Sequence, residues 1–146
     1  MTFSPSGIAG AYIKEMSSMN KEEAFEFSTL GIELINSLIN YDNLVLTVSD
    51  KYLFGGGLEL ILASDIRLTT PECKFGFPEV TLGIIPGFFG IELSMKKCSP
   101  LCDELILTGN IFKAKEKNNF TPPNVRGSNE INTREKCEVI EKGINT

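Results

Sequence analysis

The sequence contains no histidine among its 146 residues. Without imidazole, the Ser-His-Asp and Cys-His routes to nucleophilic catalysis are closed, and carboxylates remain as the main acid/base candidates. Cys73, Cys98, Cys102 and Cys137 show no C-x-x-C spacing, so too few metal ligands are at hand. Cys98 and Cys102 are spaced to face one another on a helix, but small buried thiols are the better expectation, with no metal and no structural disulfide. Basic charge is also scarce: 14 Lys and Arg against 19 Asp and Glu give a net charge of −5. No basic patch offsets that balance, which argues against nucleic-acid binding. No apolar run approaches the roughly 18 residues of a membrane span. The start, MTFSPSGIAGAY, lacks the features of a signal or transit peptide, so a cytoplasmic location is expected.

What is present is the make-up of one ordinary globular domain, 42% apolar and 23% charged. Its organising stretch is residues 52–90, where Gly55, Gly56 and Gly57 precede the apolar run LELILASD. Glycine lets backbone N–H groups approach a bound oxygen closely. A helix that is apolar around most of its circumference is buried. Its first turn points free N–H groups at whatever sits above the glycines, an arrangement that favours developing negative charge. Spacing alone leaves this open against a plain glycine turn capping a core helix, with Glu59 complementing the helix dipole. Glu79, on a separate element beside a second loop rich in glycine and proline, shifts the balance. Two acids placed in this way suit general acid and base work.

Taken in order, residues 1–10 read as loop, and Ala9, Gly10 and Ala11 give a small, open backbone. Residues 20–40 predict an amphipathic helix that Asn20 caps, with Glu23 completing a capping box; Phe25 and Phe27 are expected in the core. Residues 43–49 (NLVLTVS) predict a buried strand leading into the glycines. The glycine run fits neither G-x-G-x-x-G nor the P-loop pattern, so nucleotide-phosphate cradles are rejected. Residues 65–69 and 74–77 are further strand candidates, and 80–90 (VTLGIIPGFFG) form a loop. Residues 92–97 and 100–108 predict helices, the second with Gly109 as C-cap, and 113–117 another helical turn. After residue 117, paired prolines and little apolar material predict a linker or tail over 118–146, with a short helix over 133–142.

The segments FGGGLEL, ASDIRL, KFGFPEVTLGIIPGF and ELILTG, with AGAYIKEM upstream, resemble the enoyl-CoA hydratase/isomerase (crotonase) family across residues 7–116. The resemblance implies an α/β fold, a partial crotonase-like ββα spiral core over residues 1–117. Compared with the family, the chain looks truncated at both ends, short of the opening strands and most C-terminal trimerisation helices. An unpaired sheet edge, exposed apolar area and marginal stability would follow. Relatives of this kind form homotrimers or hexamers.

The family pattern places two oxyanion-hole N–H groups at Ala11 and Gly56, and catalytic carboxylates at Glu59 and Glu79. It places CoA-substrate contacts at Ala9, Ala11, Ile13, Lys14, Gly55, Gly56, Pro86 and Gly87, with Lys14 near the CoA phosphates. Tyr12 departs from the pattern, which has aspartate there, and Phe89 and Ile91 stand where smaller or polar residues are common. The implied function is hydration of a 2-enoyl-CoA. The alternatives are an enoyl-CoA isomerase, or a non-catalytic fragment that binds acyl-CoA or a partner. No cofactor is implied, because coenzyme A is part of the substrate.

Overall fold

Short apolar and β-branched runs, separated by turn residues, pair into two sheets that alternate along the chain. The structure, a computed structural model, describes residues 1–3, 6–98 and 100–116. Strands β1 (Thr2–Phe3), β3 (Leu46–Ser49) and β5 (Ile66–Thr69) form one sheet in the order β1-β3-β5. Strands β2 (Gly7–Ile8), β4 (Tyr52–Phe54), β6 (Lys74–Gly76) and β7 (Phe112–Lys113) form the other in the order β2-β4-β6-β7. All pairs are parallel except β6 with β7. Parallel neighbours require a crossover. Helices α1 (Ile13–Met16) and α2 (Lys21–Ile39) follow β2, and α3 (Gly56–Leu62) follows β4. A 3-10 turn at Pro78–Leu82 and helix α4 (Gly90–Lys97) follow β6, and α5 (Cys102–Thr108) precedes β7. Each turn of chain therefore lays one strand in each sheet and returns through helical structure, which is a ββα spiral.

The loop expected over residues 1–10 is corrected by β1 and β2. Leu46 N donates to Met1 O at 2.9 Å, and Lys51 N to Ser6 O at 2.8 Å. The edges of β3 and β4 thus impose pairing on a segment whose own residues, Gly7 among them, favour strand weakly. Helical structure at residues 113–117 is corrected in part: β7 ends at Lys113, and a 3-10 turn covers Ala114–Glu116. Gly109 caps α5 with φ 68°, as expected. The tail over 118–146, the helix over 133–142 and Cys137 lie outside the described residues.

The main core joins Leu53 of β4, Phe75 of β6 and Phe112 of β7 to Leu58, Ile61 and Leu62 of α3, Leu93 of α4 and Leu105 of α5. Fully burying such side chains stabilises by about 1.5–3 kcal/mol each. A smaller cluster of Leu46, Val48 and Leu68 serves the other sheet. Close approach of α3 to β2 depends on Gly57, where a Cβ would lie 2.6 Å from the Ile8 carbonyl oxygen. Buried Cys73 and Cys98 behave as small apolar groups, and desolvation pushes their thiols up to about 11 and about 12. Cys98 ends α4 and Cys102 opens α5, so the two do not share a helix.

Helix α2 starts as expected. Asn20 Oδ1 accepts from Glu23 N at 3.0 Å, and Glu23 Oε2 accepts from Asn20 N at 2.8 Å. The expectation that Phe25 and Phe27 enter the core does not hold: Phe25 is 74% exposed, and Phe27 turns into the cavity described below. The apolar stripe of α2 is wider than the surface it meets, and Ile35 is its one fully buried residue. Among the described residues, no helix is long and apolar enough to cross a membrane.

Candidate active site

Strand β4 delivers the chain to Gly55, whose φ of 53° and ψ of −131° are open to glycine alone. Gly55 N donates to Gly76 O at 3.1 Å, and Gly55 O accepts from Leu58 N and Glu59 N at 2.8 and 3.1 Å. That leaves Gly56 as the first residue of α3, a position whose N–H has no intrahelical acceptor. Residues 10 and 11 run alongside it, since a Cβ on Gly10 would lie 3.0 Å from Gly56 N. Among the described residues, neither Gly56 N nor Ala11 N finds an acceptor. Two backbone donors are therefore available on adjacent segments.

Glu59 lies one helical turn beyond Gly56, so both project on one face of α3. It is only 1% exposed. Its Oε1 accepts from Phe88 N at 2.8 Å and Gly90 N at 2.7 Å, the amides flanking Phe89. Phe89 has φ 74°, the left-handed conformation, which turns those amides toward one point. A Cβ on Gly90 would sit 2.6 Å from Glu59 Oε1, so the carboxylate occupies room that only glycine leaves. The second oxygen, Oε2, faces the cavity 3.8 Å from where a Gly56 Cβ would stand. Desolvation raises the Glu59 carboxyl to about 7; the two amides act against this, and the Glu79 and Glu92 charges act with it.

Glu79 follows Pro78 in the first turn of the 3-10 segment. Its Oε1 is 2.9 Å from the position of a Gly55 Cβ, and its Oε2 is buried with no donor among the described residues. Burial raises this carboxyl as well.

The two acids share a cavity of about 200 Å³ with Ala9, Ala11, Ile13, Gly55, Gly56 and Gly87. Lys14 and Pro86, also expected at the site, do not line it: Lys14 is exposed on α1, and Pro86 is buried against Gly90. Phe89 and Ile91 do not narrow the cavity either. Phe88 does, its ring lying between Gly31 and Gly56. The wall also includes Ala24, Phe27 and Ser28 of α2, which were not foreseen. A signal was present: residues 24, 27, 28 and 31 fall at i, i+3, i+4 and i+7, one helix face made of small residues around a single aromatic.

Residues 6–121 match the family described as enoyl-CoA hydratase/isomerase. The chain belongs to that family. It is 38% identical to the short-chain-enoyl-CoA hydratase of Clostridium acetobutylicum over 110 residues, 75% of this chain and 42% of that protein. It is 34% identical to the crotonyl-CoA hydratase of Syntrophomonas wolfei over 110 residues, again 75% of this chain and 42% of that protein. Among solved structures, the enoyl-CoA hydratase from Bacillus anthracis superposes with a TM-score of 0.79 at 28% identity, covering 94% of this chain and 53% of that one. The chain thus spans about half the length of the hydratase/isomerase relatives it matches, and its ββα spiral is a partial crotonase core.

Proposed function

We propose that the protein adds water across the double bond of a 2-enoyl-CoA thioester. The observation that carries this reading is the convergence of two desolvated carboxylates, Glu59 and Glu79, on one cavity beside the N–H groups of Ala11 and Gly56. A thioester carbonyl oxygen seated on those donors gains the most from them once it carries charge. As a nucleophile adds to the β-carbon, the electron pair moves through the α-carbon and the oxygen becomes an enolate. Preorganised N–H groups act most strongly at that stage, and loss of one donor in comparable sites costs about 2.7–4 kcal/mol.

A carboxyl pair with one proton supplies both halves of the addition. The ionised member takes a proton from water as the water oxygen bonds to the β-carbon. The protonated member gives its proton to the α-carbon as the enolate collapses to the thioester. The product is a 3-hydroxyacyl-CoA, and the pair again holds one proton. Moving a double bond needs only one base, so two acids facing one space favour hydration over isomerisation. Exposed Ala9 and Ile13, which line the cavity, are assigned to the exit of the CoA portion, and exposed Lys14, next in the chain, to its phosphates.

Glu59→Gln and Glu79→Gln should each lower crotonyl-CoA hydration by about 10²-fold or more, the typical worth of a positioned acid or base. The measurement is the decrease of enoyl-thioester absorbance, with circular dichroism to confirm the fold. Undiminished hydration by Glu79→Gln would remove the two-acid mechanism.

A further inference from the structure

We propose that the ring of Phe88 is the inner wall of the acyl pocket and restricts the protein to short acyl chains. This rests on the acyl-CoA reading above and adds the substrate class to it.

The ring bridges two helices. On one edge, a Cβ at Gly31 of α2 would lie 2.3 Å from Cδ1 and from Cε1 of Phe88. On the opposite edge, a Cβ at Gly56 of α3 would lie 3.2 Å from Cε2. Phe27 packs against the ring with centroids 5.6 Å apart and planes at 59°. The backbone beneath it is held as well, since Phe88 N donates to Glu59 Oε1 at 2.8 Å. Phe88 is therefore fixed on three sides.

Gly31 supplies an independent sign that the ring belongs there. Glycine inside a helix is less favourable than alanine, and Gly31 sits well within Lys21–Ile39. Its missing Cβ is the space that the Phe88 ring fills.

With the wall in place, about 200 Å³ remains beside the carboxylates, below the roughly 300–1,000 Å³ typical of sites for larger ligands. A four-carbon acyl group needs only the space next to Glu59 and Glu79. A longer chain meets the Phe88 and Phe27 rings, or turns out over Leu82, Ile84 and Ile85, which are themselves exposed to water. The first path is closed by the rings, and along the second an added methylene is covered on one face only, so it gains less than it would in an enclosed pocket.

The test compares kcat/KM for crotonyl-CoA and for 2-decenoyl-CoA in the full chain, in Phe88→Ala and in Phe88→Leu. The decenoyl-to-crotonyl ratio should rise roughly tenfold or more in Phe88→Ala, the low end of what a misfit of one methylene is worth. Phe88→Leu should raise it by less, and it keeps the test decisive if the alanine variant does not fold. Each ratio is taken within one variant, so a general loss of stability cancels. An unchanged ratio overturns the proposal. If the unmodified chain hydrates neither substrate, the hydratase reading fails separately, and calorimetric titration with butyryl-CoA and decanoyl-CoA still reads the wall: the affinity ratio should shift toward decanoyl-CoA in Phe88→Ala. An unchanged affinity ratio, or no binding of either thioester, overturns it.

Discussion

Burying Glu59 should make the protein lose stability as pH rises through neutrality. The carboxyl titrates at about 7 in the folded chain, against 4.5 for an ordinary glutamate. Below pH 4.5 both states hold the proton. Between 4.5 and 7 the folded state keeps a proton that the unfolded state has released, so stability falls with increasing pH. Above 7 both are ionised, and the fold carries a buried charge. The difference of 2.5 units, at 1.36 kcal/mol per unit, is about 3 kcal/mol, of which about 2.5 kcal/mol falls between pH 5 and pH 8. Glu59→Gln removes the titration and keeps an oxygen to accept from Phe88 N or Gly90 N. Urea unfolding of both proteins at the two pH values reads the contribution of Glu59 together with its smaller interactions with Glu79 and Glu92, because the remaining ionisable groups are common to them. With slopes of about 1–3 kcal/mol per molar urea, the glutamine variant should gain roughly 1 M or more in midpoint relative to the parent between pH 5 and pH 8. If the gap between the two proteins is the same at both pH values, the carboxyl is not desolvated as described.

Two further predictions concern the scaffold. Asn20→Ala removes the side-chain half of the capping box on α2 and should destabilise by about 1 kcal/mol, read as a lower urea midpoint. At Phe89, glycine should give a more stable protein than alanine by about 1–2 kcal/mol: both lose the ring equally, but only alanine keeps the steric penalty of φ 74°. Thermal melts of Phe89→Gly and Phe89→Ala, set side by side, measure that difference.

The cap at Asn20 and the buried apolar helix after the glycines were legible because each depends on local chemistry, whereas the ββα order followed from the family resemblance and the separate strand Tyr52–Phe54 was not foreseen. A strand that runs into three glycines and then an apolar helix has few ways to fold. The strands at Thr2–Phe3 and Gly7–Ile8 were not legible, because their cause is non-local: they are extended by the edges of β3 and β4. The acids could be picked out as residue types, yet the length of chain that brings them together gave no hint that Glu59 would be anchored by amides 29 and 31 positions away. The aromatic part of the cavity wall was not legible for a similar reason. Phe88 and Phe89 are neighbours with identical side chains, and which of the two lines the cavity is set by the folded backbone, which places the Phe88 ring between Gly31 and Gly56.

The left-handed turn at Phe89 ties together the features of the site that oppose stability. A left-handed phenylalanine is unfavourable alone, and so is a buried carboxylate. Here the first turns the amides of residues 88 and 90 toward one point, and the second supplies the negative oxygen they need. Each therefore offsets part of the other, and neither is cheaply changed by itself. The same segment carries the Phe88 ring between Gly31 and Gly56. Acid placement and pocket depth are thus set by one three-residue segment, so a substitution at Phe89 reaches both without touching the cavity.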